Sequence, residues 1–203
     1  MEETLKVKII LGSIRQGRFG ERPARWLVEG LKEWKEIDAE LLDLKDYPMP
    51  FFDSPVSPAM LGRKYPNEVV QKWADKLDEA DAFILISPEY NHSFSAVLKN
   101  AIDWTNPEWL RKPVGFVSYG STGGARAVEH LRGVAIELKS VPINRSIHIS
   151  WDFIMKAMKN PGVQNAELFA PLRDGSQGQD NLAVFVNDLL WMAKALKVAR
   201  TGK

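Results

Sequence analysis

Side chains able to do chemistry concentrate in three short stretches of this sequence. The first, GSIRQGRFG at residues 12–20, sets Gly12 and Gly17 at the spacing of the phosphate loop GxxxxGK[ST]. Arg18 stands where the lysine belongs, however, and Phe19 where a hydroxyl would hold magnesium. That disfavours a magnesium-bound nucleoside triphosphate. A single phosphate fits better: the following helix start offers unpaired N–H groups and its dipole, Ser13 a hydroxyl, and Arg15 and Arg18 guanidinium groups for bidentate contact. The plain alternative is a glycine turn with solvated arginines. The second stretch, SPEYNHSFS at 87–95, carries a tyrosine, an amide and an imidazole. Glu89 and His92 could form an acid/base pair, but no third group orients them. The third, YGSTGGAR at 119–126, combines an aromatic ring and two hydroxyls with glycines that let a flat ligand approach the backbone; alternatively it is a simple strand-to-helix turn. The dinucleotide pattern GxGxxG is missing. His130 reads as part of a solvated helix face and His148 as a strand residue, and neither has the spacing of a metal site.

These stretches need a scaffold that brings them together. LKVKIILG, IDAELLDL, DAFILIS, KPVGFVSYG and VPINRSIHIS read as five strands, the third nearly all apolar as in a central parallel strand. Between them ERPARWLVEGLKEWKE, NEVVQKWADKLDEA, SFSAVLKNAIDWT and GGARAVEHLRGVAIELK read as helices, and DNLAVFVNDLLWMAKALKVA as a strongly amphipathic last one. Alternation of this kind predicts a parallel, doubly wound α/β sheet with helices on both faces. Ligands bind such sheets beyond the carboxyl ends of the strands, where the strand order reverses. The order 2-1-3-4-5 would let the turns after strands one, three and four surround one ligand. Residues 151–179 fit the pattern poorly: a short helix, then a connection long enough to be a lid, an oligomer contact or a mobile excursion.

The 203 residues read as one domain, 1–203, with 45% hydrophobic content sufficient for a core. Lys and Arg number 27 against 26 acidic residues, so a net charge of +1 provides no field for nucleic acid or an anionic membrane surface. No apolar run is long enough to span a bilayer and the start lacks a secretion signal, so a cytoplasmic protein is expected. Without cysteine there is no thiol chemistry. Any redox activity must come from a cofactor.

The motifs, in this order, resemble those of the NAD(P)H-dependent FMN reductase family, a flavodoxin-like group that includes quinone, azo-dye and chromate reductases. GSIRQGR is similar to the family's GSxRxxS/R loop, SPEYNHSFSAVLKNAIDW to its block PEYNxSxxxxLKNAIDW, and SYGSTGGARAVEHLR to its block with GGARA; LLDLKDYPMPFFD resembles the segment after the second strand. The resemblance runs from about residue 5 to 138 and leaves 151–179 uncovered.

It implies a flavodoxin-like three-layer sandwich binding FMN. Ser13, Arg15, Gln16, Arg18, Phe19 and Gly20 would hold the phosphate and the start of the ribityl chain. Pro88, Glu89, Tyr90, Asn91 and His92 would border the isoalloxazine, and Ser118, Tyr119, Gly120 and Ser121 would close its polar edge. Many relatives carry serine and asparagine where this chain has Arg18 and Gly20, shifting the expected phosphate contact towards guanidinium charge. NADPH or NADH would donate hydride, and a quinone, azo compound, metal oxyanion or free flavin would accept it in ping-pong fashion. The cofactor carries the difficult step, so no side chain is assigned as catalytic and no metal is expected. Helix starts near Gly20 and Gly123, with Arg126, could stabilise reduced flavin, although Arg126 reads better as an ordinary ion pair. A homodimer or homotetramer is implied, with some of the seven tryptophans as interface anchors, Trp104 and Trp109 at the site rim, and most of the others in the core. The alternative is a flavodoxin-type FMN electron carrier that does not oxidise nicotinamide, against which the near-neutral charge speaks.

Overall fold

The computed structural model describes residues 4–175 and 181–202. Strands β1 (Leu5–Leu11), β2 (Ile37–Asp43), β3 (Ala82–Pro88), β4 (Pro113–Tyr119) and β5 (Val141–Ile149) form one sheet in the order β2-β1-β3-β4-β5. Every neighbouring pair is parallel. This is the architecture the alternating pattern predicts. Every residue of β3 and β4 is buried, whereas the edge strands β2 and β5 are only partly so. Continuous apolar runs therefore mark strands covered on both faces.

Helices α1 (Glu21–Leu31), α2 (Glu68–Asp78), α3 (Ala96–Asp103) and α4 (Ala125–Glu137) link the strands. After β5 come α5 (Trp151–Lys159), α6 (Asn165–Leu168), α7 (Ala170–Asp174) and α8 (Leu182–Thr201). One core joins the sheet to α1 and α5–α8, through residues such as Ile9, Leu27, Phe169 and Leu189. The other joins the opposite face to α2, α3 and α4, through Phe83, Trp73, Leu98 and Leu131.

Two expectations change. The final helix is not cleanly amphipathic: Phe185, Val186, Leu189 and Leu190 point inward, but Val184, Trp191 and Val198 are exposed. The stretch after residue 160, as far as it is described, is neither lid nor loose excursion. Leu168, Phe169 and Leu172 are buried, each contributing about 2 kcal/mol, and Phe169 packs against Trp26 with ring centroids 5.1 Å apart. The remainder of that stretch, 176–179, lies outside the described residues. Two helices of four and five residues are too short to show a helical period in sequence.

Candidate functional site

The strand order places the turns after β1, β3 and β4 side by side, and side chains join them. The Ser13 hydroxyl lies 3.0 Å from the Tyr90 hydroxyl, and the Arg15 guanidinium sits over the Tyr90 ring, 5.5 Å from its centroid. These contacts link the first turn to the second. Glu89 links the second to the third: its backbone N–H donates to the Tyr119 carbonyl at 2.9 Å, and its carboxylate accepts from Thr122 Oγ1 at 3.1 Å and from Arg126 Nε at 2.6 Å. Beneath, Ser95 caps α3, accepting from Leu98 N at 3.3 Å and donating to the Gly12 carbonyl.

The first turn presents its backbone. Gly12 N–H donates to the Ile86 carbonyl at 2.8 Å, but from Ser13 to Gly20 no N–H donates to an acceptor among the described residues. No side chain caps α1 at Gly20, whereas Asn67, Ser95 and Asn181 cap α2, α3 and α8. A run of open N–H groups ending at a bare helix start is an anion site.

The second turn is a two-residue hairpin loop. Tyr90 and Ser93 exchange backbone bonds of 2.8 and 3.1 Å, and the central Asn91 and His92 have φ of 47° and 74°, the left-handed pair of a type I′ turn. Asparagine and histidine are among the non-glycine residues that adopt this conformation most often. The His92 ring lies 6.2 Å from that of His130, whose Nδ1 is 2.8 Å from Ser93 Oγ. His130 thus meets the second turn instead of merely facing solvent. Glu89 faces away from His92 to the start of α4, so the acid/base pairing of these two does not form.

The third turn runs through Gly123 and Gly124, with φ of 66° and 76°. A Cβ on Gly124 would come within 2.6 Å of the Ser118 Cβ, so glycine is required there. Tyr119 is buried beside this turn, its ring 5.3 Å from Phe19. Among the described residues its Oη is the one buried side-chain polar atom without a hydrogen-bond partner. The Ser13 hydroxyl lies close enough to favour the phenol's ionised form slightly, but its 3.0 Å hydrogen bond is to Tyr90. Burial raises the Tyr119 pKa, so the phenol stays protonated and can donate.

Three residues of the expected site have side chains engaged within the protein. Arg18 is buried and bonds Asp43, Glu21 and the Ser13 carbonyl. Burial opposes its charge, but Asp43 and Glu21 outweigh this and raise its pKa; partial burial likewise opposes the charge of the half-buried Asp43 carboxyl, which is held below its ordinary value chiefly by Arg18. Arg18 therefore braces the loop from beneath, and Arg15 is its exposed guanidinium. Phe19 packs into the core against Tyr119 and Phe169. Ser118 Oγ donates to the Gly123 carbonyl at 2.7 Å and lies 3.1 Å from His148 Nδ1, fixing the turn from inside. Gln16, Asn91, His92 and Ser121 are exposed, Tyr90 and Gly120 half-buried, and Pro88 and Gly20 buried at their turns.

Sequence reasoning missed Asp43, whose meeting with Arg18 depends on β2 lying beside β1, and Ser95, whose place before an apolar helix is a cap signal. It also misplaced Trp109, which packs on Phe83 towards the amino end of β3, ring centroids 4.4 Å apart, away from the turns. Trp104 is buried and donates to the Pro50 carbonyl at 2.8 Å. A separate groove of about 870 Å³ runs along α1 against residues 161–166. There Arg22 is engaged with Asn165 and the Val163 carbonyl. Among the described residues there is no cluster of potential metal ligands and no helix long and apolar enough to cross a membrane.

The model of a family described as NADPH-dependent FMN reductase matches residues 5–152. An NAD(P)H-dependent FMN reductase of Schizosaccharomyces pombe is 34% identical over 163 residues, covering 79% of this chain and 82% of that protein. A quinone reductase of Escherichia coli K12 is 34% identical over 151 residues, covering 71% and 77% respectively. Among solved structures, the flavoenzyme NAD(P)H:(acceptor) oxidoreductase FerB of Paracoccus denitrificans aligns at 25% identity with TM-score 0.59, covering 73% of this chain and 80% of that one.

Proposed function

The chain belongs to the NADPH-dependent FMN reductase family, and on that premise we propose that it binds one FMN across the three turns and uses NADPH or NADH to reduce a second substrate. Bound FMN supplies hydride acceptance and its onward transfer. The protein's share is to hold, orient and shield.

The observation that carries this reading is the pattern of unsatisfied polar groups. Buried polar groups normally have partners. Here Tyr119 Oη is a buried group without a partner, and the N–H groups of the exposed residues 14–17, free of any backbone bond, lie at the same edge of the sheet, where a phosphate can replace water. They fit a flat ligand bearing one phosphate. In this arrangement the N–H groups, the Ser13 hydroxyl and Arg15 hold the phosphate, and Gln16 and Gly20 border the ribityl chain. Pro88, Glu89, Tyr90, Asn91 and His92 line one side of the ring, and Tyr119, Gly120 and Ser121 its polar edge. Arg18, Phe19 and Ser118 keep those groups in place. Nicotinamide and acceptor occupy the same face in turn, which makes the kinetics ping-pong. Quinones, azo compounds, metal oxyanions and free flavin are the acceptor classes to assay.

The 203 residues are read as one domain. Cytoplasmic residence, which a chain without cysteine fits, belongs to the same reading. So does a homodimer or homotetramer, supported by the exposed Phe51, Met60, Trp151 and Trp191 and checked by light scattering.

The test is the visible spectrum of reconstituted protein before and after anaerobic NADPH. Flavin bands that bleach support the reductase. Bands that persist indicate an electron carrier, and colourless protein after saturating FMN removes the reading altogether.

A further inference from the structure

We propose that Glu89 is a positioning residue with an electrostatic role: it clamps the turn at the flavin's polar edge and offsets the positive end of α4, making the bound cofactor a stronger reductant. The inference rests on the FMN site proposed above, in which Glu89 only lines the ring, and gives its carboxylate a role of its own.

Helix α4 begins at Gly124 without a cap from its own turn. Glu89 supplies one from across the cleft, accepting from Arg126 N at 3.2 Å and from Thr122 Oγ1 at 3.1 Å. The same carboxylate pairs with the Arg126 guanidinium. Its side chain is only 4% exposed, against 38% for Arg126. The stem is gripped as well, since a Cβ on Gly120 would lie 3.1 Å from the Glu89 Cβ. One residue at the end of β3 thus holds residues 119–126 by backbone, stem and carboxylate.

The charges set the direction. A helix start carries roughly half a positive charge, and Arg126 adds one. With Glu89 ionised the local sum is about +0.5; with Glu89 neutral it is about +1.5. Burial opposes ionisation of Glu89, but Arg126 and Thr122 outweigh it and hold the carboxyl below its ordinary value. Hydride transfer from NAD(P)H leaves NAD(P)⁺ and a two-electron-reduced flavin, which is an anion at neutral pH. A smaller positive sum stabilises that anion less, so electrons leave it more readily for the acceptor. Of the two bare helix starts beside the site, α1 stays open for the phosphate and α4 is neutralised where the ring lies.

The experiment is the midpoint potential of bound FMN, with the Kd for oxidised FMN, in the parent chain, Glu89→Gln, Arg126→Met and the double variant. Glutamine keeps the shape and can still accept from Thr122. Glu89→Gln should raise the ratio of reduced to oxidised FMN affinity on the order of tenfold, an upward shift of about 30 mV for a two-electron couple. Arg126→Met should shift it downward, and the double variant should fall between. Equal weakening of both redox states, with the potential unchanged, would make Glu89 a structural clamp only and overturn the proposal. Should Glu89→Gln fail to fold, Arg126→Met decides alone: a downward shift supports the proposal and an unchanged potential overturns it. A parent chain that does not bind FMN would defeat the site first, and this inference with it.

Discussion

The two ends of the sheet treat their polar groups in opposite ways. At the amino end Asp81 accepts from Lys6 N at 3.1 Å, Lys197 Nζ at 2.9 Å and Arg200 at 3.4 Å. Lys112 donates to the Leu77 and Asp78 carbonyls at 2.9 and 3.0 Å, and Trp109 Nε1 to Thr105 Oγ1 at 2.9 Å. The carboxyl end leaves a buried phenol unmatched and presents the unbonded amides of the exposed residues 14–17. A fold can leave polar groups open only where something else completes them. On the FMN reading proposed above, one end serves stability and the other the ligand, and substitutions should separate the two.

The largest effect is expected at the seam between these roles. Arg18→Ala strips the partner from Asp43 and should cost about 3 kcal/mol in urea unfolding while abolishing FMN binding. Arg15→Ala, on the same loop, should leave stability within about 0.5 kcal/mol and weaken FMN about tenfold. If Arg18→Ala proved as stable as the parent, the brace assigned to it would be wrong. Next comes Lys112, whose pKa burial lowers to about 8 from an ordinary 10.5. Between those values the unfolded chain binds more protons than the folded one, so stability rises with pH. The parent should gain on Lys112→Met by on the order of 3 kcal/mol across that window, with FMN affinity unchanged. A fall in FMN affinity in Lys112→Met would show that the ends are coupled. The smallest effect belongs to Tyr119→Phe. Removing an orphaned hydroxyl should stabilise the flavin-free protein by about 1 kcal/mol and weaken FMN several-fold; destabilisation in thermal melts would reveal a partner for that hydroxyl.

Legibility in the sequence followed the range over which each signal acts. The β-branched run of β1, the apolar run of β3 and the block around PEYN are local, and they identify the elements and the edge where they meet. What Arg18 does is not local. Its type and spacing suit a phosphate, but Asp43 reaches it from 25 residues away because β2 lies beside β1. Ser118 likewise looks like a ligand hydroxyl until β5 brings His148 alongside. Trp109 lies away from the site rim because helix α3 carries the chain back towards the far end of the sheet before the tryptophan is reached. Polar side chains near a motif announce a neighbourhood; topology decides which of them face inward.

Phe169 gives this a practical edge. It supports Phe19, and through it the loop at residues 13–20, from beyond the last residue that the family model matches. An expression fragment ending at residue 152 would keep every recognisable motif and lose the floor under the first of them. Trimming by motif would deliver a protein that looks intact on paper and has nothing rigid on which to seat its ligand.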